Sequence, residues 1–264
     1  MKLRKGVKDL WIQRYRPSND PILRLFCFPY AGVGAAVYRL WPASLPTRVE
    51  MCAVQLPGHE TRLREVPLRD IASMVEGAVE ALLPYTDRPY ALFGHSMGGV
   101  LAYETSRHLA QRSQRAPSHL FISGRRSPAT VERDPPIDHL SDREFALEIN
   151  RRYGGIPAEV LDDAEVLALL LPALRADLGA LDCYRPPSSS PLPWPLTVYG
   201  GIDDLRATRE QLDAWRLQAA GAFRLRMFPG AHFYLASQRE ALLADVSSVL
   251  NPLLCADAVG GVIA

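Results

Sequence analysis

Two segments far apart in the chain contain the residue types of nucleophilic catalysis. Gly94-His95-Ser96-Met97-Gly98 follows the apolar run 90–93, and Gly230-Ala231-His232-Phe233 lies near the end of the chain. A serine hydroxyl is a poor nucleophile until a neighbouring histidine accepts its proton. The spacing Gly-x-Ser-x-Gly after a strand is typical of a sharp strand-to-helix turn that exposes the serine hydroxyl. The pattern therefore predicts Ser96 as a nucleophile, with the Met97 N–H facing a developing oxyanion.

The base must be chosen among six histidines. His95 lies inside the turn and should point away from the serine hydroxyl. When this turn carries a catalytic triad, the chain order is Ser, then Asp or Glu, then His. Only His232 follows the last predicted strand, in a Pro-Gly-Ala loop that can present it over Ser96. The other candidates lie upstream of the serine, in a helix, at the start of a strand or at the start of a helical segment: His59, His108, His119 and His139.

The acid of such a triad should follow the strand before the last one, where a carboxylate can hold the imidazole in the correct tautomer. Asp203 and Asp204 both follow the apolar run 196–199 and precede the helical pattern that starts at Thr208. The residue pattern alone does not distinguish the two aspartates. The one that does not orient the histidine is expected to be a solvated loop or cap residue.

Composition excludes several functional classes. The 264 residues are 48% hydrophobic, with a net charge of +1 and well-mixed acids and bases, so neither nucleic acid nor a membrane is an expected partner. The basic start is not followed by the apolar region of a secretory signal, and no stretch approaches the length of a membrane span. A reducing cytoplasm is therefore expected. The cysteines lack zinc or disulfide spacing, so we expect free thiols and no metal site: Cys27, Cys52, Cys183 and Cys255.

Short apolar strands alternate with amphipathic helices, which predicts a mostly parallel sheet covered on both faces. The predicted strands are 23–28, 51–56, 90–93, 119–122, 196–199 and 223–228. The predicted helices of this alternating part are 71–83, 100–109, 208–219 and 235–250.

The segment 138–184 interrupts this alternation with helical patterns and no strand. Ser141 and Glu144 have the spacing of a capping box, and 166–181 is rich in Leu and Ala. A helical insertion ahead of the carboxyl ends of the strands predicts a lid, although packing on the sheet edge would give the same pattern. The expected organisation is a loose tail at 1–20, a core formed by 21–137 and 185–254, the lid at 138–184 and a second loose tail at 255–264.

These motifs resemble those of the stand-alone type II thioesterases of polyketide and nonribosomal peptide pathways, which belong to the α/β-hydrolase superfamily. The resemblance runs from about residue 23 to residue 250. The Gln-Leu-Pro-Gly and Leu-Pro-x-Leu-Arg-Ala-Asp segments are more specific than the serine motif, which many hydrolases share. The matching segments are 26–32 (Phe-Cys-Phe-Pro-Tyr-Ala-Gly), 54–58 (Val-Gln-Leu-Pro-Gly), 94–99, 171–177 (Leu-Pro-Ala-Leu-Arg-Ala-Asp) and 228–235.

The resemblance assigns roles residue by residue. Ser96 matches the family nucleophile and His232 its base. The family acid usually lies eleven residues before a tryptophan of the next helix, and counting back from Trp215 gives Asp204. The family oxyanion hole uses the N–H after the nucleophile and one from the Pro-x-Ala-Gly loop, which here belong to Met97 and Ala31. The chain departs from the family pattern at Tyr30, Val33, His59 and Leu205, where His, Gly, Arg and Pro are common.

The resemblance implies hydrolysis of acyl groups from the phosphopantetheine arm of acyl or peptidyl carrier proteins, which clears stalled or aberrant units from a synthase. It implies no bound cofactor, because the phosphopantetheine belongs to the substrate, and a monomer is expected. Three alternatives use the same scaffold. A small-molecule carboxylesterase or lipase would need no carrier protein, a medium-chain acyl thioesterase would terminate chains, and an interaction protein would not be catalytic. The presence of all three triad residue types argues against the last.

Overall fold

The computed structural model describes residues 10–128, 130, 135–186 and 190–259, with side chains up to residue 255. Within these residues, seven strands form one sheet in the order β1-β3-β2-β4-β5-β6-β7. Neighbouring strands are parallel, except that β1 pairs antiparallel with β3. The predicted mostly parallel sheet is thus confirmed. The strands are β1 (Ile12–Gln13), β2 (Leu23–Phe28), β3 (Val49–Val54), β4 (Tyr90–His95), β5 (His119–Ser123), β6 (Leu196–Gly201) and β7 (Phe223–Phe228).

Helices cover both faces of this sheet. They are α1 (Ile71–Leu82), α2 (Met97–Arg112), α3 (Asp142–Tyr153), α4 (Ala158–Leu161), α5 (Ala164–Cys183), α6 (Arg209–Asp213), α7 (Tyr234–Ser237) and α8 (Arg239–Val259). The helix predicted at 208–219 is shorter than expected, because α6 continues as a 3-10 helix over Ala214–Gln218.

The two faces of the sheet contribute to separate hydrophobic clusters. On β2, Phe26 and Phe28 join the cluster that contains the buried face of α1 and part of α2. Leu25 and Cys27 join a second cluster that contains buried residues of α8. Alternate residues of a strand face opposite sides, so β2 is buried on both. This explains why its sequence is an almost continuous apolar run.

The segment between β5 and β6 is helical, as the sequence predicts, and contains α3, α4 and α5. Helix α3 begins at the predicted capping box, in which the Ser141 N–H donates to Glu144 Oε2 at 3.1 Å. The helices share a small hydrophobic cluster of their own, formed by Ile137, Phe145, Ala146, Ile149, Leu167 and Leu171. The insertion therefore has apolar packing separate from the two clusters on the sheet.

Within the described residues, part of each predicted tail belongs to a strand or a helix. Residues 12–13 form β1, because the outer edge of β3 offers unpaired backbone groups and the Gln55 N–H donates to the Trp11 carbonyl at 2.7 Å. The Trp11 ring also lies under the Arg62 guanidinium, at 4.7 Å from the ring centroid. At the other end α8 continues to Val259. Residues 1–9 and 260–264 of the predicted tails, and 187–189 of the connector into β6, lie outside the described residues.

The four cysteines are free. Cys27 and Cys52 are buried in strands, whereas Cys183 and Cys255 are exposed. In the part of the chain that the structure describes, the helices are too short or too polar to cross a membrane.

Candidate active site

Ser96 lies at a sharp turn between β4 and α2. Its φ of 53° and ψ of −116° fall in a region that L-residues rarely adopt. A Cβ atom on Gly94 would overlap the backbone of Gly98, and a Cβ on Gly98 would overlap the carbonyl of Phe28. The Ser96 N–H donates to the Ser123 carbonyl at 2.8 Å. The two glycines of the motif are thus required by close backbone packing, which holds the serine in its strained conformation.

The structure brings Ser96, His232 and Asp204 together. His232 Nε2 lies 3.0 Å from Ser96 Oγ, and His232 Nδ1 lies 2.8 Å from Asp204 Oδ2. The imidazole and the carboxylate are both buried, with 3% of each residue exposed. Because the carboxylate can only accept, it holds the proton on Nδ1 and leaves Nε2 free to accept the serine proton. This arrangement is that of a nucleophile, a general base and an orienting acid.

The two candidate aspartates have different environments. Asp204 is buried, and its Oδ1 accepts a hydrogen bond from the Arg206 N–H at 2.8 Å. Asp203 is exposed, and its N–H donates to the Gly230 carbonyl at 3.0 Å. Of the two aspartates it is Asp204, the one that the resemblance to the family indicates, whose carboxylate contacts His232. The residue pattern could not separate them because they are adjacent on one turn.

His95, the residue before the serine, turns away from the hydroxyl, as expected. Its Nδ1 lies 2.8 Å from Ser123 Oγ, and its ring centroid lies 5.1 Å from that of His232. Burial, together with the nearby His232, holds the pKa of His95 well below its ordinary value. His95 is therefore a neutral neighbour of the triad near pH 7, and it supports the ring of His232 without adding charge.

The four histidines that the sequence argument set aside lie elsewhere. His119 Nε2 lies 2.9 Å from Thr197 Oγ1, and burial with the charge of Arg224 lowers its pKa to about 4. His59 is buried against Asp177 of α5, with Nε2 and Oδ2 separated by 2.9 Å. Two others are exposed, namely His108 and His139.

The loop after β2 lies beside the strand-to-helix turn. Phe28, the last residue of β2, is in register with Gly94 of β4. The backbone at residues 28–29 also approaches Gly98 in the first turn of α2 so closely that it excludes a side chain there. Ala31 follows in this loop, and Met97 is fully buried at the N-terminus of α2. The two segments whose N–H groups were predicted to form the oxyanion hole are therefore neighbours, and the helix N-terminus favours negative charge.

Side chains from outside this loop accept hydrogen bonds from its backbone. Asp177 Oδ2 of α5 accepts from the Gly32 N–H at 2.8 Å. No role was predicted for these acceptors from the sequence, although Gln55 and Asp177 lie in the Gln-Leu-Pro-Gly and Leu-Arg-Ala-Asp segments that the resemblance singled out. The remaining contacts are Gln55 Oε1 with the Ala35 N–H at 2.9 Å, and Glu60 Oε1 and Oε2 with the N–H groups of Gly34 and Ala36, each at 3.1 Å.

A cavity of about 420 Å³ adjoins the triad on the side of the helical insertion. Arg125, Arg126 and Tyr153 line both this cavity and the narrow space around Ser96 and His232. Burial and the neighbouring Arg126 lower the pKa of Arg125 to about 10. The apolar lining from α5 comes from Leu178 and Leu181.

A larger cavity of about 630 Å³ lies between α1, α2 and the end of α5, and its lining does not include the triad.

Known protein families and structures resemble this chain over most of its length. The model of the thioesterase domain family matches residues 23–250, so the chain belongs to this family. The chain is 38% identical over 244 residues to the gramicidin S biosynthesis protein GrsT of Aneurinibacillus migulanus, a match that covers 92% of this chain and 95% of that protein.

Two solved structures are also similar over most of their length. The type II thioesterase BorB from the borrelidin biosynthetic cluster superposes with a TM-score of 0.84 at 32% identity, covering 93% of this chain and 100% of BorB. The RedJ thioesterase from the prodiginine pathway of Streptomyces coelicolor superposes with a TM-score of 0.80 at 38% identity, covering 89% of this chain and 91% of that chain. The predicted family and the α/β-hydrolase fold are confirmed, and the chain is a thioester hydrolase.

Proposed function

We propose that this protein hydrolyses acyl thioesters carried on the phosphopantetheine arm of carrier proteins, and so releases stalled or aberrant acyl groups from a polyketide or nonribosomal peptide synthase. The observation that carries the proposal is the contact chain from Ser96 through His232 to Asp204. The family match supports thioester hydrolysis, and similarity to GrsT, BorB and RedJ supports the biosynthetic setting.

The first half of the reaction transfers the acyl group to the enzyme. His232 Nε2 accepts the proton of Ser96 as Oγ attacks the thioester carbonyl. The Met97 and Ala31 N–H groups donate to the oxyanion of the tetrahedral intermediate. Asp204 keeps the imidazole oriented and stabilises its protonated form. When the intermediate collapses, the carbon–sulfur bond breaks and the imidazolium gives its proton to the leaving thiolate.

The second half releases the acid. Water enters, His232 removes one of its protons, and the resulting hydroxide attacks the acyl carbonyl on Ser96. The same two N–H groups hold the second oxyanion. Collapse returns the proton to Ser96 Oγ and releases the carboxylic acid. No metal ion or bound cofactor takes part in these steps.

The helical insertion 138–184 acts as a lid in this proposal. Tyr153, at the end of α3, contacts the His232 ring with centroids 5.1 Å apart, and Gly155 packs so closely on the Phe233 ring that a Cβ would be 2.6 Å from it. Lids of this kind move to admit substrate and to exclude water. We expect a monomeric enzyme of the cytoplasm whose partners are carrier-protein domains.

The test compares two substrates that carry the same acyl group. One is an acyl carrier protein loaded through phosphopantetheine, and the other is a small oxygen ester. The proposal expects a much higher kcat/KM for the loaded carrier, because the thioester arm and the carrier surface are both recognised. Ser96→Ala serves as the control for background hydrolysis. A preference for the oxygen ester would favour the esterase alternative, and activity that depends only on a medium chain length would favour the chain-terminating thioesterase.

A further inference from the structure

A buried contact joins the loop after β3 to helix α5 of the insertion. His59 Nε2 lies 2.9 Å from Asp177 Oδ2, and these residues are only 3% and 0% exposed. A carboxylate is rarely buried unless it is paired, because removing its charge from water is unfavourable. Asp177 is therefore expected to have a positively charged partner, and the side chain that contacts its carboxylate is His59.

The second nitrogen of His59 also faces an oxygen. His59 Nδ1 lies 3.0 Å from the Pro57 carbonyl, which can only accept a hydrogen bond. Either neutral tautomer of the imidazole would place a nitrogen lone pair against one of these two acceptors. The imidazolium donates from both nitrogens. The contacts of the ring thus favour the protonated form.

The same carboxylate oxygen reaches the loop that contains Ala31. Asp177 Oδ2 accepts from the Gly32 N–H at 2.8 Å, and this N–H belongs to the peptide that follows Ala31. Gly32 has a φ of 80°, and a Cβ added there would be 2.8 Å from Leu174 Cδ1, one turn before Asp177 on α5. Helix α5 therefore holds the loop by both a hydrogen bond and close packing.

We propose that Asp177 and His59 are positioning residues for the oxyanion hole, with His59 protonated and the ion pair fixing the peptide after Ala31. The proposal rests on the proposed function, because it assumes that the Ala31 N–H stabilises the oxyanion. Neither residue touches the reacting atoms. Their effect passes through the Gly32 N–H to the orientation of the donor one residue earlier.

The pairing of His59 with Asp177 makes the rate of thioester hydrolysis depend on pH. Burial by itself lowers the pKa of His59, but the hydrogen bond and the charge of Asp177 outweigh it and raise that pKa above the ordinary value. The Pro57 carbonyl and the charge of Glu60 act in the same direction. As pH rises through the pKa of His59, the ring loses a proton and Asp177 loses its cation. The loop is then held less firmly, and kcat falls at alkaline pH.

Three variants test the proposal in the full-length protein: Asp177→Asn, His59→Gln and His59→Arg. The matched control is His108→Gln, which changes an exposed histidine of α2. Hydrolysis of an acyl carrier protein is measured between about pH 5 and pH 10, because a pH profile reports groups whose protonation controls the rate. Labelling of Ser96 by a fluorophosphonate gives a second readout, since the phosphonyl oxygen occupies the oxyanion position. Circular dichroism reports whether each variant is folded.

Asp177→Asn should lower kcat by about tenfold or more with KM nearly unchanged, and should slow labelling of Ser96 to a similar extent. His59→Arg, whose charge does not titrate, should lose the alkaline decline that the wild type shows. The control should keep the wild-type profile. An unchanged kcat in folded Asp177→Asn, or an alkaline decline that persists in His59→Arg, would overturn the proposal. If the wild-type protein itself failed to hydrolyse the loaded carrier, the proposed function would fail instead.

A measurement on the unaltered protein covers the case in which the variants do not fold. NMR spectra of the histidine ring nitrogens show directly whether one or both are protonated. His59 should carry two protons near neutral pH and should titrate above the ordinary histidine value of about 6.5. Titration at or below that value would show that the ring is not held as an imidazolium, and would overturn the proposal.

Discussion

The orienting carboxylate offers the sharpest test of the triad. Asp204 accepts two hydrogen bonds at opposite oxygens, from His232 Nδ1 at 2.8 Å and from the Arg206 N–H at 2.8 Å. Asp204→Asn replaces one of these acceptors with an NH₂ group. If the amide oxygen keeps the bond to Arg206, the NH₂ faces His232 Nδ1 and drives the imidazole proton to Nε2. That tautomer cannot accept the proton of Ser96.

The alternative orientation of the amide is also unfavourable. The oxygen would then face His232, and the NH₂ would meet the Arg206 N–H, so two donors would be opposed in a buried site. We therefore expect the first orientation and a loss of kcat of about 10⁴-fold, the size seen when a triad aspartate is replaced by asparagine. This corresponds to about 5 kcal/mol of lost transition-state stabilisation.

The adjacent aspartate provides the matched control. Asp203 is exposed, and its hydrogen bond to Gly230 uses the backbone N–H, which asparagine retains. Asp203→Asn should leave kcat within about twofold of the wild type, since the exposed carboxylate has no contact with His232. Both variants are assayed by release of thiol from an acyl thioester at saturating substrate. Comparable losses in the two variants, or a kcat for Asp204→Asn within about tenfold of the wild type, would refute the assignment.

Further changes test packing, pH dependence and the cavity. Gly98→Ala should destabilise the fold by about 3 kcal/mol or more in chemical denaturation, because its Cβ would overlap the backbone at the end of β2. The control is Gly179→Ala in α5, where an added Cβ would meet no other atom and should stabilise the helix slightly. The pKa of His119 is lowered to about 4 in the folded protein, so the unfolded chain binds this proton more readily. Protonation of His119 should therefore reduce the free energy of unfolding by about 3 kcal/mol as pH falls from 7 to 4. In chemical denaturation at a series of pH values, His119→Asn should lose this part of the decrease in the free energy of unfolding. Leu178→Trp should fill the cavity beside the triad and shift the preference among acyl substrates toward shorter chains. Leu169→Trp, at a position 53% exposed, should leave that preference unchanged. If neither variant changed the preference, the cavity would not be the site that binds the acyl chain.

The features predicted best from the sequence are those fixed by local pattern. The observed bounds of β2 are the predicted ones, and the contact of Ser96 with His232 joins two residues that a motif and the chain order had singled out. Such features depend on residues within a few positions of each other, or on an order that the sheet imposes. The choice between Asp203 and Asp204 depended on burial, which a two-residue sequence pattern does not contain.

Contacts between residues far apart in the chain could not be predicted from the sequence patterns. The contact of His59 with Asp177 joins residues that are 118 positions apart, and its existence depends on how α5 packs against the loop after β3. The short strand at Ile12–Gln13 was missed for a similar reason. Its two residues carry almost no periodic signal, and only the exposed edge of β3 makes them a strand.

The lining of the cavity beside the triad also depended on packing. In the Leu- and Ala-rich part of α5, the cavity beside the triad is lined by Leu178 and Leu181 and not by Leu170 or Leu174. Leu174 lies against Gly32, and Leu170 is 40% exposed. The Leu- and Ala-rich pattern predicted a helix in the insertion, whereas the residues of that helix that face the cavity depend on the angle at which α5 crosses the core.

The central claim is that Ser96 removes acyl groups from carrier-bound phosphopantetheine. Intact-mass spectrometry of an acyl carrier protein tests it most directly, because loss of the acyl mass reveals the free phosphopantetheine arm. The wild-type protein should convert the acyl form to the free-thiol form, and folded Ser96→Ala should leave it acylated over the same time. A wild-type protein that left the carrier acylated while it still cleaved an oxygen ester of the same acid would contradict this claim. Release of the acyl group by Ser96→Ala at a rate near that of the wild type would contradict it as well.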